Sequence, residues 1–272
     1  AKDGGLHAEA RALAQAAAKA KGATAYVNLE PCLAHRGKRT PPCAEALVKA
    51  GVRRVVAAIA DPNPGVAGKG LAFLRKRGVA VTLGVLRQEA QKINAPFIFR
   101  MSHQRPYVAL KSALSLDGRA AALGGASRWI TSKPARQAVH RLRARFDAVL
   151  VGSGTALADD PALTAHGVGR DPIPVVLDTH LRLPKRARLL KGPRKALVFS
   201  AKAGTLPGAE VIAVATRNGR LELKAVLKEL YRRRICTLLV EGGPTVHASF
   251  LKAGFVDEVQ AFIAPKLLAG SR

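Results

Sequence analysis

Cysteine is nearly missing from this 272-residue chain, which has only Cys32, Cys43 and Cys236. A set so sparse and odd excludes a disulfide-stapled scaffold and suits a reducing compartment, so the cytoplasm is the expected location. Any chemistry of these thiols is then metal binding or catalysis. Aromatic side chains are scarce too, at 4%, which leaves little to stack against nucleobases. No apolar run approaches the ~18–20 residues that cross a bilayer, and no signal-peptide pattern opens the chain, so no membrane partner is expected. Acidic residues are the last deficit. Eighteen Asp and Glu stand against 45 Lys and Arg, a formal charge of +27.

A charge of that size prompts a nucleic-acid reading. Here, however, the basic residues are spread along the whole chain, and charge alone gives only non-specific affinity. Attraction to phosphorylated substrates and cofactors, or a general bias toward basic surfaces, accounts for it without a polynucleotide. Hydrophobic residues make up 48% of the chain, and 272 residues suffice for two domains with separate cores.

The pattern of apolar runs and breakers alternates strand and helix. Leu6 to Lys21 is Ala-rich and unbroken until Gly22, which predicts a helix. Strands are predicted at Thr24–Leu29, Arg53–Ala60 and Val79–Leu83. Between them lie a helix opened by Pro42 and closed by Gly51, and another at Leu71–Arg77. Asp61-Pro62-Asn63-Pro64-Gly65 is a loop. The segment Arg100 to Pro106 reads as a joint, after which the alternation restarts. Strands are expected at 107–113, 148–151, 174–177, 196–200, 211–215 and 237–240, with helices at 133–145, 221–234 and 245–252. Such alternation implies largely parallel sheets flanked by helices.

Two sets of residues carry chemistry. His7-Ala8-Glu9 starts a helix, Pro31-Cys32 follows a strand, and Cys43 starts the next helix. One imidazole and two thiolates leave a fourth tetrahedral position open, as a catalytic zinc requires. Zinc brings the pKa of a bound water toward ~7, and Glu9 can carry the released proton without binding the metal, an arrangement typical of nucleobase deaminases. Separately, Gly152-Ser153-Gly154-Thr155 and Glu241-Gly242-Gly243-Pro244-Thr245 follow strands. Glycines in such turns let backbone N–H groups approach phosphates. Neither turn has the full dinucleotide-binding spacing, and alone each reads as an ordinary tight turn.

The run Leu29-Glu30-Pro31-Cys32 through Gly37, then Thr40-Pro41-Pro42-Cys43, resembles the deaminase half of the bifunctional riboflavin-biosynthesis family. Asp61-Pro62-Asn63-Pro64 with Gly68 and Gly70 is similar to it as well. Arg105-Pro106-Tyr107-Val108, Lys111, Ser115-Leu116-Asp117-Gly118, Ser127, Trp129-Ile130-Thr131, Leu157 through Thr164, and Val240 through Pro244 resemble its reductase half, in order. This resemblance implies an α/β chain. A cytidine-deaminase-like three-layer domain over residues 1–103 would be followed by a dihydrofolate-reductase-like α/β domain over 104–272. It implies hydrolytic deamination of a phosphoribosylamino-pyrimidine, then NADPH reduction of the ribosyl group to ribityl.

By this resemblance Zn2+ is held by His7, Cys32 and Cys43, with Glu9 the catalytic proton shuttle. Thr131, Gly152, Thr155, Gly242 and Gly243 fall near NADPH. Lys111, Ser127, Arg143, Asp160, Leu163 and Glu241 fall at the substrate, with Arg143 a candidate phosphate clamp and Asp160 and Glu241 acceptors for sugar hydroxyls. Lys38 and Arg39 are candidates for the phosphate in the deaminase half, and Cys236 is packing. A homo-oligomer is expected.

The chain departs from the family at a few points. Both ends look short, the gap between Cys32 and Cys43 is long, and His166 stands where an arginine is common. A zinc deaminase acting on nucleic acid remains an alternative, as does a chain keeping one activity of the two.

Overall fold

The computed structural model describes residues 6–34, 41–63, 65–119 and 131–268. The chain divides into two compact units, Ala1–Ser102 and His103–Arg272.

In the first unit, strands β1 (Thr24–Leu29), β2 (Arg54–Ile59) and β3 (Ala80–Leu83) form a parallel sheet in sequence order. The central strand is buried from Val55 to Ile59, as expected of a parallel strand covered on both faces. Val55 packs with Ala44 and Leu47 of α2 (Cys43–Lys49) and Leu74 of α3 (Lys69–Lys76). Ala58, three residues on and therefore on the other face, packs with Ala90 of α4 (Arg87–Ile93) and Ile98 of α5 (Ala95–His103). The result is helix–sheet–helix, three layers deep.

Two local features differ from the sequence-based expectation. The helix predicted over 6–21 is α1 (Ala8–Ala16) followed by a 3-10 turn at Ala17–Ala20. It breaks at Ala17, where φ is +46°. Alanine's high helix propensity does not decide where a helix stops, because tertiary contacts override it. The segment read as a joint from Arg100 is still helical to His103, since Pro96 sits in the first turn of α5, where its missing N–H costs nothing.

The second unit is built on a seven-stranded sheet. Its strands are β4 (Tyr107–Ser115), β5 (Ala148–Gly152), β6 (Ile173–Leu177), β7 (Ala196–Ser200), β8 (Ala209–Ala213), β11 (Thr237–Val240) and β12 (Glu258–Ala264). The order is β12-β4-β11-β5-β6-β7-β8, every pair parallel. A small antiparallel pair, β9 (Thr216–Arg217) and β10 (Arg220–Leu221), lies outside it. Strand β5 shows why its run is continuously apolar. Val149 and Val151 join one core with Leu142 of α6 (Lys133–Arg145) and Ala156 of α7 (Ser153–Asp159). Ala148 and Leu150 join the other with Val226 and Leu230 of α8 (Leu223–Arg232) and Phe250 of α9 (Pro244–Lys252).

Helix α6 occupies the residues predicted for it, capped by Ser132 Oγ accepting from Ala135 N. The turn expected at Gly152–Thr155 is tighter than the sequence implied, because Gly152 ends β5 and Ser153 already begins α7. Because β4 and β5 are separated by the later strand β11, the chain reverses direction across the sheet there. That is where open parallel sheets bind ligands, at the carboxyl ends of their strands.

Candidate active sites

The zinc-site residues of the first unit come together from three separated stretches. His7 is the residue before α1, Cys32 follows β1, and Cys43 is the first residue of α2. His7 Nδ1 lies 3.5 Å from Cys32 Sγ and 3.3 Å from Cys43 Sγ, and all three donor atoms fall within 4.8 Å of one another. A tetrahedral zinc with the usual Zn–N and Zn–S bond lengths needs an N···S edge of about 3.6 Å. The donors therefore stand almost where the metal would hold them, and both thiols are buried. Glu9 follows two residues after His7, half-buried in the first turn of α1. Lys38 and Arg39 lie outside the described residues.

What braces Cys32 is the carboxylate of Glu30, whose place in the motif gives no sign of this role. Glu30 is only 2% exposed, and among the described residues no cation forms an ion pair with it. Its Oε2 accepts from the backbone N–H groups of Gly68 (2.9 Å) and Asp61 (3.1 Å). Its Oε1 accepts from Gly70 (2.8 Å) and Leu71 (3.2 Å). Four peptide donors thus replace the water a carboxylate loses on burial. They tie the loop after β2 to the segment carrying Cys32. A Cβ on Gly70 would sit 1.9 Å from Pro31 O, so only glycine permits this approach. On the other side Ala44 N donates to Cys32 O at 3.1 Å, joining that segment to the start of α2.

In the second unit a cleft of about 1370 Å³ opens at the carboxyl ends of β4, β11, β5 and β6. It is lined by Thr131, Gly152, Thr155 and Gly243 among the expected cofactor residues, and by Lys111, Arg143 and Glu241 among the expected substrate residues. Gly242 lies just behind this lining, where a Cβ would meet Val151 Cγ1 at 2.9 Å and Thr155 Oγ1 at 3.2 Å. Gly154 lines the cleft with ordinary φ and nothing within 4 Å of a would-be Cβ. Neither packing nor backbone strain within the protein asks for glycine there, whereas a phosphate approaching the backbone would.

Three expected residues are placed differently. Leu163 is 1% exposed and belongs to the core. Asp160 caps α7 in a left-handed conformation, and its Oδ1 accepts from Arg188 N at 2.8 Å. Of the two adjacent aspartates it is Asp159 that lines the cleft. Arg143 was expected to offer its fork to a phosphate. Instead its Nε and Nη2 donate to Glu241 at 2.6 and 2.8 Å, and its Nη1 donates to Thr164 O at 3.1 Å. Ser127, with Trp129, lies outside the described residues.

Glu241 is the hub of this site, with Lys111 Nζ 3.6 Å from its Oε2. Burial alone would raise its carboxyl pKa, but Arg143 and then Lys111 outweigh burial and hold it below the usual range. Burial opposes the charge on Arg143 too, and Glu241 more than compensates.

Two histidines on the cleft wall gave no motif in sequence. His140 lies one turn before Arg143, and its ring packs 4.2 Å from that of His166, between centroids. Burial lowers its pKa, as do His166 and Arg143, while Glu241 opposes them and Arg136 adds to the lowering. His247, on α9, is lowered by burial and by Lys111, against the opposing pull of the Val240 carbonyl and Glu241. Among the described residues His140 Nδ1 and His247 Nε2 are buried without a hydrogen-bond partner. A spacing of three with Arg143 on a basic helix was the only signal His140 gave, and it does not separate a wall residue from a solvated one.

Similarity to known proteins follows the same division. Residues 1–59 match the family model of the cytidine and deoxycytidylate deaminase zinc-binding region, and residues 106–272 match that of the RibD C-terminal domain. The riboflavin biosynthesis protein RibD of Aquifex aeolicus is 44% identical over 98% of this chain and 76% of its own length. That of Escherichia coli is 43% identical over 96% and 76%. Among solved structures, RibD of Acinetobacter baumannii aligns with a TM-score of 0.89 at 42% identity, covering 99% of this chain and 76% of that one. The diaminohydroxyphosphoribosylaminopyrimidine deaminase/5-amino-6-(5-phosphoribosylamino)uracil reductase of Thermotoga maritima aligns at 0.84 and 37%, covering 98% and 76%. Since one model spans more than half of the chain and such relatives run along nearly all of it, the chain belongs to the RibD family of riboflavin biosynthesis, which joins a zinc-dependent deaminase to an NADPH-dependent reductase.

Proposed function

We propose that the two reactions of the family are divided between two sets of side chains, one in each unit. In the first unit His7, Cys32 and Cys43 would hold zinc, which would supply an acidified water. The substrate is a diamino-pyrimidine carrying a phosphoribosylamino group. One ring C–N bond breaks, one C–O bond forms, and the nitrogen leaves as ammonia. Glu9 takes the proton that water loses and returns it to the departing nitrogen. The observation that carries this reading is the convergence of the three donor atoms within 4.8 Å.

In the second unit the substrate is the deaminated product, its ribosyl group open as a carbonyl. NADPH, when bound, would supply a hydride to the carbonyl carbon and leave as NADP+, while the oxygen takes a proton from water. Lys111 presents an ammonium to the oxygen that gains charge as the hydride arrives, in a cleft wall where such a contact is worth more than in water. Glu241 holds Lys111, and Arg143 holds Glu241. Thr131, Gly152, Thr155, Gly242 and Gly243 are the proposed cofactor contacts. Asp160 and Leu163, whose side chains are engaged elsewhere, reach the substrate only through their backbone, and Ser127 completes the set. The protein works in the reducing cytoplasm, where its three cysteines stay free. It acts as a homo-oligomer, for which the exposed Val259 and Ile263 on edge strand β12 offer apolar surface, and it needs no nucleic acid.

The test is to supply the diamino-pyrimidine substrate with and without NADPH, following ammonia release and nicotinamide absorbance. Ammonia should appear in both, and absorbance should fall only after it. A Glu9→Gln variant should keep its zinc and lose ammonia release; unchanged turnover would remove the assigned shuttle.

A further inference from the structure

NADPH differs from NADH by one phosphate monoester, on the adenosine ribose, at the far end of the molecule from the reacting nicotinamide. We propose that Arg182 reads that phosphate and gives the second unit its choice between the two cofactors. The inference rests on the reading that the cleft takes a nicotinamide dinucleotide.

The layout of the cleft sets the direction. Lys111, midway along β4, reaches Glu241 at the carboxyl end of β11, so the hydride must be delivered where the two meet. The glycine turns at Gly152–Gly154 and Gly243 lie at the ends of β5 and β11, where bare backbone and the start of α9 favour the linking diphosphate. The next strand outward is β6, and Arg182 follows it on the cleft wall, with Thr179. From β4 through β11 and β5 to β6 is three strand spacings, about 14 Å. A dinucleotide laid over the glycine turns with its nicotinamide at Lys111 therefore brings its adenosine end to Arg182.

The condition of the guanidiniums is the second observation. Arg143, at the hydride end, is bound to Glu241 in fork geometry. Arg182 is tethered only through Nη2, to Ser153 Oγ at 3.1 Å. Among the described residues no carboxylate forms an ion pair with it. The tether aims the side chain at the turn that would hold the diphosphate, and leaves most of the donor fork open. A planar fork with open donors matches a phosphate bidentately, which a ribose hydroxyl cannot use. Asp159, the last residue of α7, also lines the cleft and is an acceptor for a ribose hydroxyl. Arg188 and Arg220 line the same cleft; Arg182 is singled out by its tether to Ser153 at the start of α7, beside the glycine turn.

The experiment measures binding, not turnover. Dissociation constants for NADPH, NADH and adenosine 2′,5′-bisphosphate are determined by calorimetry on the full chain, its Arg182→Ala and Arg182→Lys variants, and Arg186→Ala. Arg186 is exposed on the same connection and does not line the cleft, so its loss controls for net charge. Arg182→Ala should weaken NADPH and the bisphosphate about 10–100-fold, the range for a charged hydrogen-bonded contact, and leave NADH within about twofold. Arg182→Lys should fall between, and Arg186→Ala should match the parent. Equal weakening of NADPH and NADH by Arg182→Ala would overturn the proposal, as would an equal effect of Arg186→Ala or a parent that prefers NADH. Binding of neither dinucleotide would instead sink the reading of the cleft on which it rests.

Discussion

The two sites solve opposite problems. The zinc site gathers three short side chains into a space smaller than 5 Å across, and Glu30 with the glycines around it braces the segment that carries one of them. The reductase cleft spreads its working groups along the ends of four strands in about 1370 Å³, and part of its lining is backbone with no side chain at all. A site built by convergence fails when any donor is lost. A site built along a wall fails by degrees. The predictions below test that contrast, beginning where the loss should be greatest.

Replacing Cys43 by alanine leaves two of three donors. Deamination should drop by at least about a thousandfold, the scale on which enzymes depend on a groups-acting-together site. Elemental analysis should show substoichiometric zinc. If the sites are as independent as their separate units imply, the same variant should still oxidise NADPH when given the already deaminated substrate. Loss of both activities together would break the comparison at once.

Glu241→Gln attacks the most concentrated point of the spread-out site. The substitution keeps the shape but leaves Arg143 and Lys111 without their buried counter-charge. Breaking such a pair costs about 3 kcal/mol or more, discounted here because the guanidinium retains Thr164 O. NADPH oxidation should fall about a hundredfold or more, with the second unit's melting transition lowered while the first unit's holds. Ammonia release should persist at the parental rate.

How much of this was legible beforehand follows the same contrast. His7, Cys32 and Cys43 could be read directly, because only a few residue types bind zinc and their places beside helix starts and strand ends survive in the linear order. The strands of the second unit were legible for a related reason. Those buried on both faces, such as Ala148–Gly152 and Ala196–Ser200, are written as unbroken apolar runs. Edge strand β12 went unread, because it alternates exposed and half-buried residues and includes Glu258 and Gln260. The partners of charged residues were not legible either. Arg143 and Glu241 lie 98 positions apart, and only the fold shows that they neutralise each other. Glu30 was read as part of a motif but not as an anchor, since the four donors it collects are peptide groups, which every residue has.

That anchor gives a milder test of the convergent site. Glu30→Gln keeps the side chain's size but offers one acceptor oxygen and an amide that faces two backbone donors. Stability of the first unit should fall by about 2–3 kcal/mol, the cost of leaving buried donors unmade. Zinc should remain bound at saturating metal but dissociate faster to a chelator, because the ligands are intact and only their support has loosened. Chelation kinetics separate this from Cys43→Ala, which should lose zinc without any chelator.

The smallest effect concerns pH and the wall of the cleft. His140 and His247 have pKa values held below the ordinary histidine value of 6.5, by burial first and by neighbouring cations second. The folded unit therefore keeps them neutral where the unfolded chain would already be protonated. The stability this neutral form represents is complete above pH ~6.5 and declines as pH falls toward the lowered folded values. Glu241 acts in a separate and lower window. Its pKa is also depressed, so its contribution is complete above the ordinary carboxylate value and is lost only as pH drops through the depressed one. Between pH 7.5 and 5.5 the second unit's melting midpoint should fall, and in His140→Gln it should fall less, by about 1–2 °C, because one proton-uptake step is gone. An equal fall in the parent and in His140→Gln would mean that His140 takes up no proton over this range, and that the pH dependence of the wall comes from other groups.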